Sequence, residues 1–488
     1  MAIIRSFCCF GFSGLLVLSL LITNGIGVSG VFAYNGVLSV KYRYAGQERS
    51  LTQLKAHDSL RQLRILTGVD LPLGGSGRPD GVGLYYAKIG IGTPPKDYYV
   101  QVDTGSDIMW VNCIQCTECP KRSSLGIELT LYDINDSETG KLVPCNQEFC
   151  LEINGGLLSG CTANMSCPYL QIYGDGSSTA GYFVMDIVEY DRVSGDLQTS
   201  SANGSVIFGN TSPEKIQLTL QKYVMCGATQ SGDLGSSNEE ALDGILGFGK
   251  SNSSVISQLA SSGRVAKMFA HCLDGTNGGG IFAMGRVVQP KVNMTPLVPN
   301  QPHYNVNMTA VQVGHVYLNL SSELFEVGDR KGTIIDSGTT LAYLPEMVYE
   351  PLVSKIISQQ PDLKVEKVRD EYTCFQYSES VDDGFPNVTF HFENSLSLKV
   401  YPREYLFPFE GLWCIGWQNS GMQSRDRMNL TLLGDLVLSN KLVLYDLENQ
   451  SIGWTEYNCK YHVGFPRTIR NLLVQQMFLK FSVRKREA

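Results

Sequence analysis

Two short segments, VDTGSD at residues 102–107 and IDSGTT at residues 335–340, share the order apolar residue, aspartate, small hydroxyl, glycine, small hydroxyl. Each aspartate follows a run that reads as a buried strand, where an unpaired carboxylate would cost several kcal/mol or more. An apolar-apolar-glycine triplet follows each segment, at residues 245–247 and 432–434. The repeat predicts two half-molecules of similar architecture that each present one aspartate to a shared site.

The rest of the chain favours a mainly β fold. A length of 488 residues predicts two or more domains, and the apolar fraction of 43% is sufficient to fill their cores. From Leu84 onward, short alternating or apolar runs such as YYAKIGI and KLVLYDL are bounded by Gly, Pro, Asn and Ser, as is typical of strands. The helical candidates, SVISQLASSG and PEMVYEPLVSKIISQ, are short.

Several classes of function lack their sequence signals. A net charge of −8 argues against nucleic acid as a partner, because phosphate binding needs a concentrated basic face. The six histidines form no HExxH, and no GxSxG is present. The GIG at residues 90–92 is followed by Pro94 and Pro95 rather than by a third glycine and a helix, which excludes a dinucleotide loop. We therefore expect no cofactor and no metal.

The amino-terminal region has two parts. Residues 1–33 contain Arg5, an apolar stretch to about Ile22 and a Val-x-Ala sequence ending at Ala33, which predicts a signal peptide; a retained anchor helix is the alternative. Residues 34–83 end in the open linker LPLGGSGRPDGVG and predict a removable prosegment; a basic helix that stays attached is the alternative. The basic residues of this prosegment include Lys41, Arg43, Arg49, Lys55, Arg61 and Arg64.

The cysteines and sequons indicate an exported protein. Cys8 and Cys9 leave with the signal peptide, and the remaining twelve cysteines lie between Cys113 and Cys459, which predicts six disulfides. The Cys-x-x-Cys-x-x-Cys spacing from Cys113 could also hold a metal, but an oxidising compartment favours disulfides. Eleven Asn-x-Ser/Thr sequons, from Asn135 to Asn449, predict a glycosylated surface. No later run reaches about 20 apolar residues, so we expect no transmembrane helix in the mature chain.

The two aspartate turns have the composition that a carboxylate needs. Glycine allows close approach of the backbone and offers its N–H, while the hydroxyl side chains supply short donors. If the turns meet across a two-fold axis, like charge forces the two carboxyls to share one proton, so that one acts as a base and the other as an acid. A water between them could then attack a peptide carbonyl without a metal or a covalent intermediate.

Over nearly all of residues 84–459 the chain resembles the pepsin-like aspartic proteases. The matching segments are GIGTPPKDYYVQVDTGSDIMWV, YGDGS, DGILGFG, IIDSGTTLAYLP and LLGDLVLSNKLVLYDLENQSIGW. The resemblance implies a bilobal β fold with an active-site cleft between pseudo-two-fold related lobes. The amino-terminal lobe would cover residues 84–290, with a cysteine-rich insertion and a flap, and the carboxy-terminal lobe residues 291–459.

The resemblance also implies roles for individual residues. Asp103 and Asp336 would form the catalytic dyad. The expected supports are Thr104 and Ser337, which would grip the backbone of the opposite lobe, Ser106 and Thr339, which would bond the outer carboxylate oxygens, and the glycines Gly105 and Gly338. Tyr173, followed by Gly174 and Asp175, would lie on a flap that closes over substrate, with its hydroxyl directed toward Trp110.

The cysteine-rich segment from Cys113 to Cys167 resembles the plant nepenthesin and nucellin-like branch. That branch implies the pairs Cys113–Cys116, Cys119–Cys226, Cys145–Cys167, Cys150–Cys161, Cys272–Cys459 and Cys374–Cys414. No long saposin-like insertion separates Asp336 from Gly434. Residues 460–488 have an interrupted apolar stretch and a basic end, so a glycolipid anchor signal is not supported; a disordered tail, a weak surface-binding helix or a product of alternative splicing remain open.

The expected function is that of an acid-active aspartic endopeptidase made as a secreted zymogen, monomeric, with protein or peptide substrates. We expect apolar side chains to be favoured around the cleaved bond, because the neighbours of the dyad are Ile108, Met109, Val111, Leu341 and Tyr343. The expected destination is the apoplast or cell wall, with the vacuole and the plasma-membrane surface as alternatives. A non-catalytic binding or inhibitor protein on the same fold is the rival function. A glycosidase would need carboxyls farther apart on dissimilar supports.

Overall fold

The computed structural model describes residues 66–75, 85–116, 118–162, 164–193, 199–210, 230–231, 241–287, 291–328, 330–369, 372–423 and 428–459. The predicted signal peptide, most of the predicted prosegment and the predicted tail 460–488 lie outside these residues. Within the described ranges, no helix combines the length and apolarity needed to cross a bilayer.

Strands dominate the described residues, as the alternating runs predict. The first part of the chain forms β1 (Leu66–Gly74), β2 (Tyr86–Ile91), β3 (Lys96–Asp103), β4 (Trp110–Val111), β5 (Lys141–Leu142), β6 (Pro168–Ile172), β7 (Ser178–Val193), β8 (Thr199–Asn210), β9 (Gln230–Ser231), β10 (Gly244–Gly247), β11 (Met268–Leu273) and β12 (Gly280–Val287). The second part forms β13 (Asn293–Pro296), β14 (Asn305–Val306), β15 (Met308–Val313), β16 (Val316–Tyr317), β17 (Lys331–Ile335), β18 (Ala342–Leu344), β19 (Val365–Val368), β20 (Tyr372–Phe375), β21 (Val388–Phe392), β22 (Ser397–Val400), β23 (Leu406–Phe409), β24 (Leu412–Ile415), β25 (Trp417–Asn419), β26 (Asn429–Leu433), β27 (Lys441–Asp446) and β28 (Ser451–Glu456).

The helices of the described residues are short. They are α1 (Glu148–Ile153), α2 (Val255–Ser261), α3 (Glu346–Ile357), α4 (Val381–Gly384), α5 (Ser420–Gln423) and α6 (Asp435–Leu438), with 3-10 turns at Ile134–Asp136, Ser322–Phe325, Glu393–Ser395 and Pro402–Glu404. The two predicted helical segments form α2 and α3. In α3, Val348, Leu352 and Ile356 recur every four residues and are buried, so the helix packs one apolar face on the core.

The predicted repeat is visible in the strand pairing around each aspartate. In the first half, β3 runs parallel to β10, with Val102 beside Leu246 and Asp103 beside Gly247. The short strand β4 then pairs antiparallel with β10 on its other side, and β4 runs parallel to β8. Asp103 is the last residue of β3, so its carboxyl lies where the strand ends and a turn begins.

The second half repeats this arrangement. β17 runs parallel to β26, with Ile335 beside Leu433. β18 pairs antiparallel with β26 and parallel with β25. Asp336 follows β17 directly, as expected for a second copy of the same unit. The two apolar-apolar-glycine triplets of the sequence are therefore the partners of the two aspartate-bearing strands.

One large sheet joins strands from both halves. Its order includes β13-β28-β27-β11-β12-β1-β2-β3, so β27 from the second half pairs directly with β11 from the first. The register places Phe269 opposite Tyr445 and His271 opposite Val443. Backbone hydrogen bonds thus connect the two halves beneath the aspartate turns.

Strand β1 lies inside the segment that the sequence predicts as prosegment. It pairs with β12 over eight positions, from Leu66 beside Val287 to Leu73 beside Gly280, and its end pairs with β2. Leu71 and Leu73 are buried, at 2% and 5% exposure. Residues 66–74 of the predicted prosegment therefore form an internal strand of the large sheet.

Two of the six predicted disulfides, Cys272–Cys459 and Cys374–Cys414, are present. Cys116 is bonded to Cys119, so the predicted pairs Cys113–Cys116 and Cys119–Cys226 are wrong. The Cα atoms of Cys116 and Cys119 are 5.6 Å apart, which is a usual separation for a disulfide. Cys113 is buried, and Cys226 lies outside the described residues.

The predicted pairs Cys145–Cys167 and Cys150–Cys161 are also wrong. The chain pairs Cys145 with Cys161 and Cys150 with Cys167, at Cα separations of 5.9 and 5.8 Å. The antiparallel bridge between Pro144 and Ser166 makes Cys145 and Cys167 diagonal neighbours. Diagonal neighbours lie about 7–8 Å apart, which is longer than a disulfide ordinarily spans.

Candidate active site

Each of the two aspartates is held by its own turn. Asp103 accepts hydrogen bonds from the Gly105 amide at 2.7 Å and the Ser106 hydroxyl at 2.5 Å. Asp336 accepts the matching bonds from the Gly338 amide at 2.8 Å and from the Thr339 hydroxyl at 2.8 Å. Both carboxyls are buried, at 5% and 8% exposure. The predicted supports therefore hold both carboxyls in the same way, one oxygen by an amide and the other by a hydroxyl.

The two turns meet face to face. A β-carbon placed on Gly105 would lie 2.5 Å from a carboxylate oxygen of Asp336. One placed on Gly338 would overlap the Oδ1 atom of Asp103. Each glycine thus lies against the carboxyl of the opposite half, and no side chain larger than hydrogen fits there. The absence of a side chain allows the two carboxyls to share one site.

A pair of contacts between the halves supports the meeting turns. The Ser337 amide donates to the Thr104 hydroxyl at 2.8 Å. The Ser337 hydroxyl donates to the Val102 carbonyl at 3.5 Å. Thr104 and Ser337 are both buried. The structure therefore brings Thr104 and Ser337 into the cross-lobe positions that the sequence predicts for them.

Burial and like charge determine the electrostatics of the pair. Burial, followed by the nearby Asp336 carboxylate, raises the pKa of Asp103 to about 7, while the hydrogen bonds from Ser106 and Gly105 oppose the shift. A raised pKa means that the pair retains a proton over the acidic range. An acid and a base can then coexist at one site, as general acid–base chemistry requires.

The predicted flap residues lie beside the dyad. The Trp110 indole N–H donates to the Tyr173 hydroxyl at 2.6 Å. Burial and the Asp103 carboxylate raise the pKa of Tyr173, so the phenol stays neutral. The turn after Tyr173 is closed by Asp175, whose carboxylate accepts from the amide and the hydroxyl of Ser177. Gly174 is exposed in this turn, which connects β6 to β7.

The apolar residues expected beside the cleaved bond are buried or half-buried. Ile108, Met109, Val111 and Leu341 are buried, at no more than 6% exposure, and Tyr343 is half-buried. Met109 and Val111 belong to the main hydrophobic core. Because they are buried or half-buried, these side chains offer little surface to a substrate in this structure.

A third carboxyl, absent from the residues predicted for the site, lies near the dyad. Asp435 is the first residue of α6 and is 3% exposed. Its amide donates to the Thr339 carbonyl at 2.8 Å, and its carboxylate oxygens have no hydrogen-bond partner among the described residues. Burial, and then Asp336 and Asp103, raise its pKa. Its position directly after the Leu-Leu-Gly triplet was the signal that could have identified it.

Comparison with known proteins assigns the chain to a family. The family models described as "Xylanase inhibitor N-terminal" and "Xylanase inhibitor C-terminal" match residues 85–286 and 303–456. Aspartic proteinase 36 of Arabidopsis thaliana is 48% identical over 433 residues, covering 88% of this chain and 85% of the relative. The chain belongs to the plant family of pepsin-like aspartic proteases.

Other relatives and solved structures agree with this family and fold. Aspartic proteinase 39 of Arabidopsis thaliana is 46% identical over 87% of this chain and 85% of its own length. Aspartic proteinase nepenthesin-2 of Nepenthes gracilis is 26% identical over 78% of each chain. The crystal structure of soybean basic 7S globulin covers 81% of this chain and 98% of its own, with a TM-score of 0.58 and 20% identity. This last likeness shows the pepsin-like bilobal β fold.

Proposed function

We propose that the protein is an aspartic endopeptidase that hydrolyses peptide bonds of proteins at acidic pH. The observation that carries the proposal is the facing pair of turns, in which each glycine lies against the carboxyl of the opposite half. Both carboxyls keep their amide and hydroxyl donors. Relatives named aspartic proteinases support the same class of chemistry.

In this mechanism the pair shares one proton. The carboxylate of the pair accepts a proton from a water as that water attacks the peptide carbonyl carbon. The protonated carboxyl donates its proton to the carbonyl oxygen, which becomes a hydroxyl of a tetrahedral intermediate. The intermediate collapses when the leaving nitrogen takes a proton from one carboxyl of the pair, one hydroxyl of the intermediate returns its proton to the other carboxylate, and the C–N bond breaks. No covalent bond to the protein forms.

The raised pKa of Asp103 gives the direction of the pH dependence. Below about 7 the pair holds the proton that the mechanism needs, and above it both carboxyls carry charge. Activity should therefore fall as the pH rises through this value.

The direct test is digestion of a denatured protein by the purified, processed chain at about pH 4, where a shared proton is retained. We expect activity in the wild type and its loss in Asp103→Asn, in Asp336→Asn and on addition of pepstatin. The asparagine variants keep the size of the side chain but remove the titrating group. An Asp103→Asn variant as active as wild type would refute the dyad mechanism.

A non-catalytic binding protein on the same fold is the second candidate, because the matching family models are described as xylanase inhibitor domains. The complete set of donors around both aspartates favours an enzyme, since a binder does not need them. A folded, processed wild type that digests nothing but inhibits a xylanase would favour the binder.

We also propose export as a zymogen. Exposed sequon asparagines, among them Asn135, Asn319 and Asn449, are accessible to glycosylation. The part of the prosegment that carries the named basic residues, from Lys41 to Arg64, would dock by charge on a carboxylate-rich surface and leave as those groups protonate. Purified zymogen incubated across a pH series should process itself at low pH; processing only at neutral pH, by an added protease, would contradict self-release. Recovery of the protein in apoplastic wash fluid would test the destination.

A further inference from the structure

A buried tyrosine lies between the two aspartate-bearing strands. Tyr304 directly precedes β14 and is fully buried, at 0% exposure. It lies in the span of the carboxy-terminal family model, residues 303–456. Its backbone carbonyl and its hydroxyl form hydrogen bonds with different halves of the molecule.

The backbone of Tyr304 holds the second aspartate strand. Its carbonyl accepts the amide of Ile335 at 3.1 Å, and Ile335 directly precedes Asp336. The repeat has the same bond in the first half, where the Tyr85 carbonyl accepts the amide of Val102 at 3.0 Å. The backbone bond therefore belongs to the duplicated unit, and it fixes Tyr304 beside the second aspartate turn.

The side chain of Tyr304 reaches into the first half. Its hydroxyl donates to the Phe248 carbonyl at 2.6 Å. The Phe248 amide in turn donates to the Asp103 carbonyl at 2.7 Å. Phe248 lies in the span of the amino-terminal family model, residues 85–286. Tyr304 is therefore connected through one residue to the backbone of each aspartate, through Phe248 to Asp103 and through Ile335 to Asp336.

The hydroxyl supplies a bond that the strand pairing does not. Among the described residues, the ladder pairs of β10 end at Gly247, so the Phe248 carbonyl lies beyond them. Phe248 is fully buried, and a buried carbonyl without a donor lowers stability. Burial raises the pKa of the Tyr304 phenol, so it remains a donor over the acidic and neutral range. A phenylalanine would fill the same space but would leave the Phe248 carbonyl without this bond.

Ring contacts restrict the position of the hydroxyl. The Tyr304 ring packs edge-on against Tyr445 and Phe269, with centroids 4.7 and 6.0 Å apart. The Phe248 ring packs against the same Phe269 at 5.2 Å. Phe269 and Tyr445 belong to β11 and β27, the strands that join the two halves. The donor and its acceptor are therefore packed on one shared set of rings.

We propose that Tyr304 is a positioning residue that ties the backbones of the two aspartates together and thereby limits the separation of their carboxyls; this inference rests on the proposed endopeptidase function. Its bonds go to Phe248 and Ile335, so its effect is exerted through the backbone. Gly105 and Gly338 already lie against the opposite carboxyls. Loss of the hydroxyl bond can therefore let the carboxyls move apart but cannot bring them closer.

The test compares the pH profiles of kcat and KM for one peptide substrate in purified variants whose fold is verified by circular dichroism. Tyr304→Phe keeps the ring and the backbone bond, and should lower kcat about tenfold with little change in KM, because small displacements of reacting groups slow catalysis strongly. It should also move the basic limb of the profile to lower pH by about 0.5 unit, because carboxyls that are farther apart repel less and release the shared proton more easily. An unchanged kcat, or a basic limb that stays in place, would overturn the proposal.

Tyr405→Phe is the matched control. Tyr405 is also fully buried, its hydroxyl donates to the Pro386 carbonyl at 2.7 Å, and its carbonyl accepts the Gly416 amide at 2.8 Å. It thus makes the same two kinds of bond between segments that carry neither aspartate. Its variant should leave kcat and the basic limb unchanged. Equal changes in the two variants would contradict a specific role for Tyr304.

A second measurement remains decisive if the folded, processed wild type is inactive, in which case the proposed function fails. Native-state hydrogen exchange, read by mass spectrometry on peptides, reports the local opening of backbone amides. Tyr304→Phe should speed exchange in residues 100–107 and 244–249 about fivefold, since one hydrogen bond that holds these segments is lost. Tyr405→Phe should leave exchange there unchanged. Wild-type exchange rates in Tyr304→Phe would show that the hydroxyl does not hold the backbone of Asp103, and would refute the inference whatever the activity.

Discussion

At the scale of single residues, the aspartate turns depend on two glycines without side chains as much as on the hydrogen-bond donors around each carboxyl. The donors around Asp103 and Asp336 are ordinary amides and hydroxyls, and similar turns occur in many proteins. The distinguishing feature is that Gly105 and Gly338 leave room for the opposite carboxyl. The first prediction concerns that space.

Gly338→Ala should lower kcat about 100-fold, because the added methyl group displaces Asp103 and separates the pair by a fraction of an ångström or more. The measurement is peptide cleavage at acidic pH, with thermal unfolding as a check on folding. Gly421→Ala is the matched control, since its added carbon would meet no atom closer than 3.2 Å. Full activity in a folded Gly338→Ala would mean that the turns are farther apart than described.

A second prediction concerns a buried ion pair away from the site. Lys441 and Glu404 are 2.8 Å apart and 2% and 3% exposed. Lys441→Met should cost about 3–5 kcal/mol in the free energy of unfolding, because it leaves the Glu404 carboxylate buried without its countercharge. Denaturant unfolding near neutral pH measures this loss.

The control for the ion pair is Lys331→Met. Lys331 pairs with Glu326 at the surface, with side chains 39% and 59% exposed, and its loss should cost less than about 1 kcal/mol because solvent screens the pair. Equal losses in the two variants would contradict the distinction between buried and exposed pairs.

At the scale of elements, the role of β1 was not predictable from its sequence. LTGVDLPLG is short, carries glycine and proline, and precedes an open linker, so it reads as the end of a removable segment. Its pairing with β12 depends on a strand more than 200 residues away, which local patterns cannot reveal. The structure thus raises a question about where the mature chain begins.

The third prediction answers that question by truncation. A chain that begins at Leu66 should be more stable than one that begins at Tyr85 by several kcal/mol, since burial of Leu71 and Leu73 contributes about 1.5–3 kcal/mol each. Loss of β1 also exposes the backbone of β12, which favours aggregation. Urea unfolding of the two purified chains makes the comparison. Equal stability would show that β1 is dispensable and would favour a prosegment that extends to residue 83.

Other elements were predictable to different degrees. The two aspartate-bearing strands and their partners could be predicted from the repeated six-residue segment and the apolar-apolar-glycine triplet after each copy. The triplets are apolar because a strand that runs parallel to a buried strand is itself buried. The disulfides among Cys145, Cys150, Cys161 and Cys167 did not follow, because four cysteines allow three pairings and the register decides among them. The contact between His271 and Tyr445 could not be predicted, because no local motif indicates that β11 pairs with β27.

At the scale of the whole molecule, several buried groups make stability depend on pH. Burial raises the pKa of Asp243 from 3.8 to about 6, and burial with Asp336 raises that of Asp103 to about 7. A carboxyl whose pKa is raised by folding keeps its proton in the native state while the unfolded state has lost it. Such groups contribute stability at low pH that is lost as the pH rises from about 4 to the folded value. Burial also raises the pKa values of Asp107 and Asp435.

His271 acts in the opposite direction. Burial lowers its pKa from 6.5 to about 3. Between these pH values the imidazole is protonated in the unfolded chain and neutral in the native state, so stability is lost as the pH falls from 6.5 to about 3. Each group contributes about 1.4 kcal/mol per pH unit within its own range. As the pH falls from 7 to 5, Asp103 adds stability over about two pH units and Asp243 over about one, whereas His271 removes stability over about one and a half. At about 1.4 kcal/mol per pH unit, the free energy of unfolding should therefore increase by about 2 kcal/mol.

The fourth prediction is therefore a stability maximum near pH 4, below which the carboxyl gains are complete while the loss at His271 continues. Urea unfolding midpoints across a pH series locate this maximum. Two variants assign the slope of stability against pH on each side of it to a particular residue. Asp243→Asn should flatten the decline between about pH 4 and 6, and His271→Leu should flatten the acid side and move the maximum to lower pH. Both effects follow from removing one titrating group each, whatever the variant does to stability at a single pH. A wild type whose stability rises steadily from pH 5 to 7 would contradict the signs of these shifts, because the buried carboxyls would then be ionised in the native state and held by charges or donors other than those described.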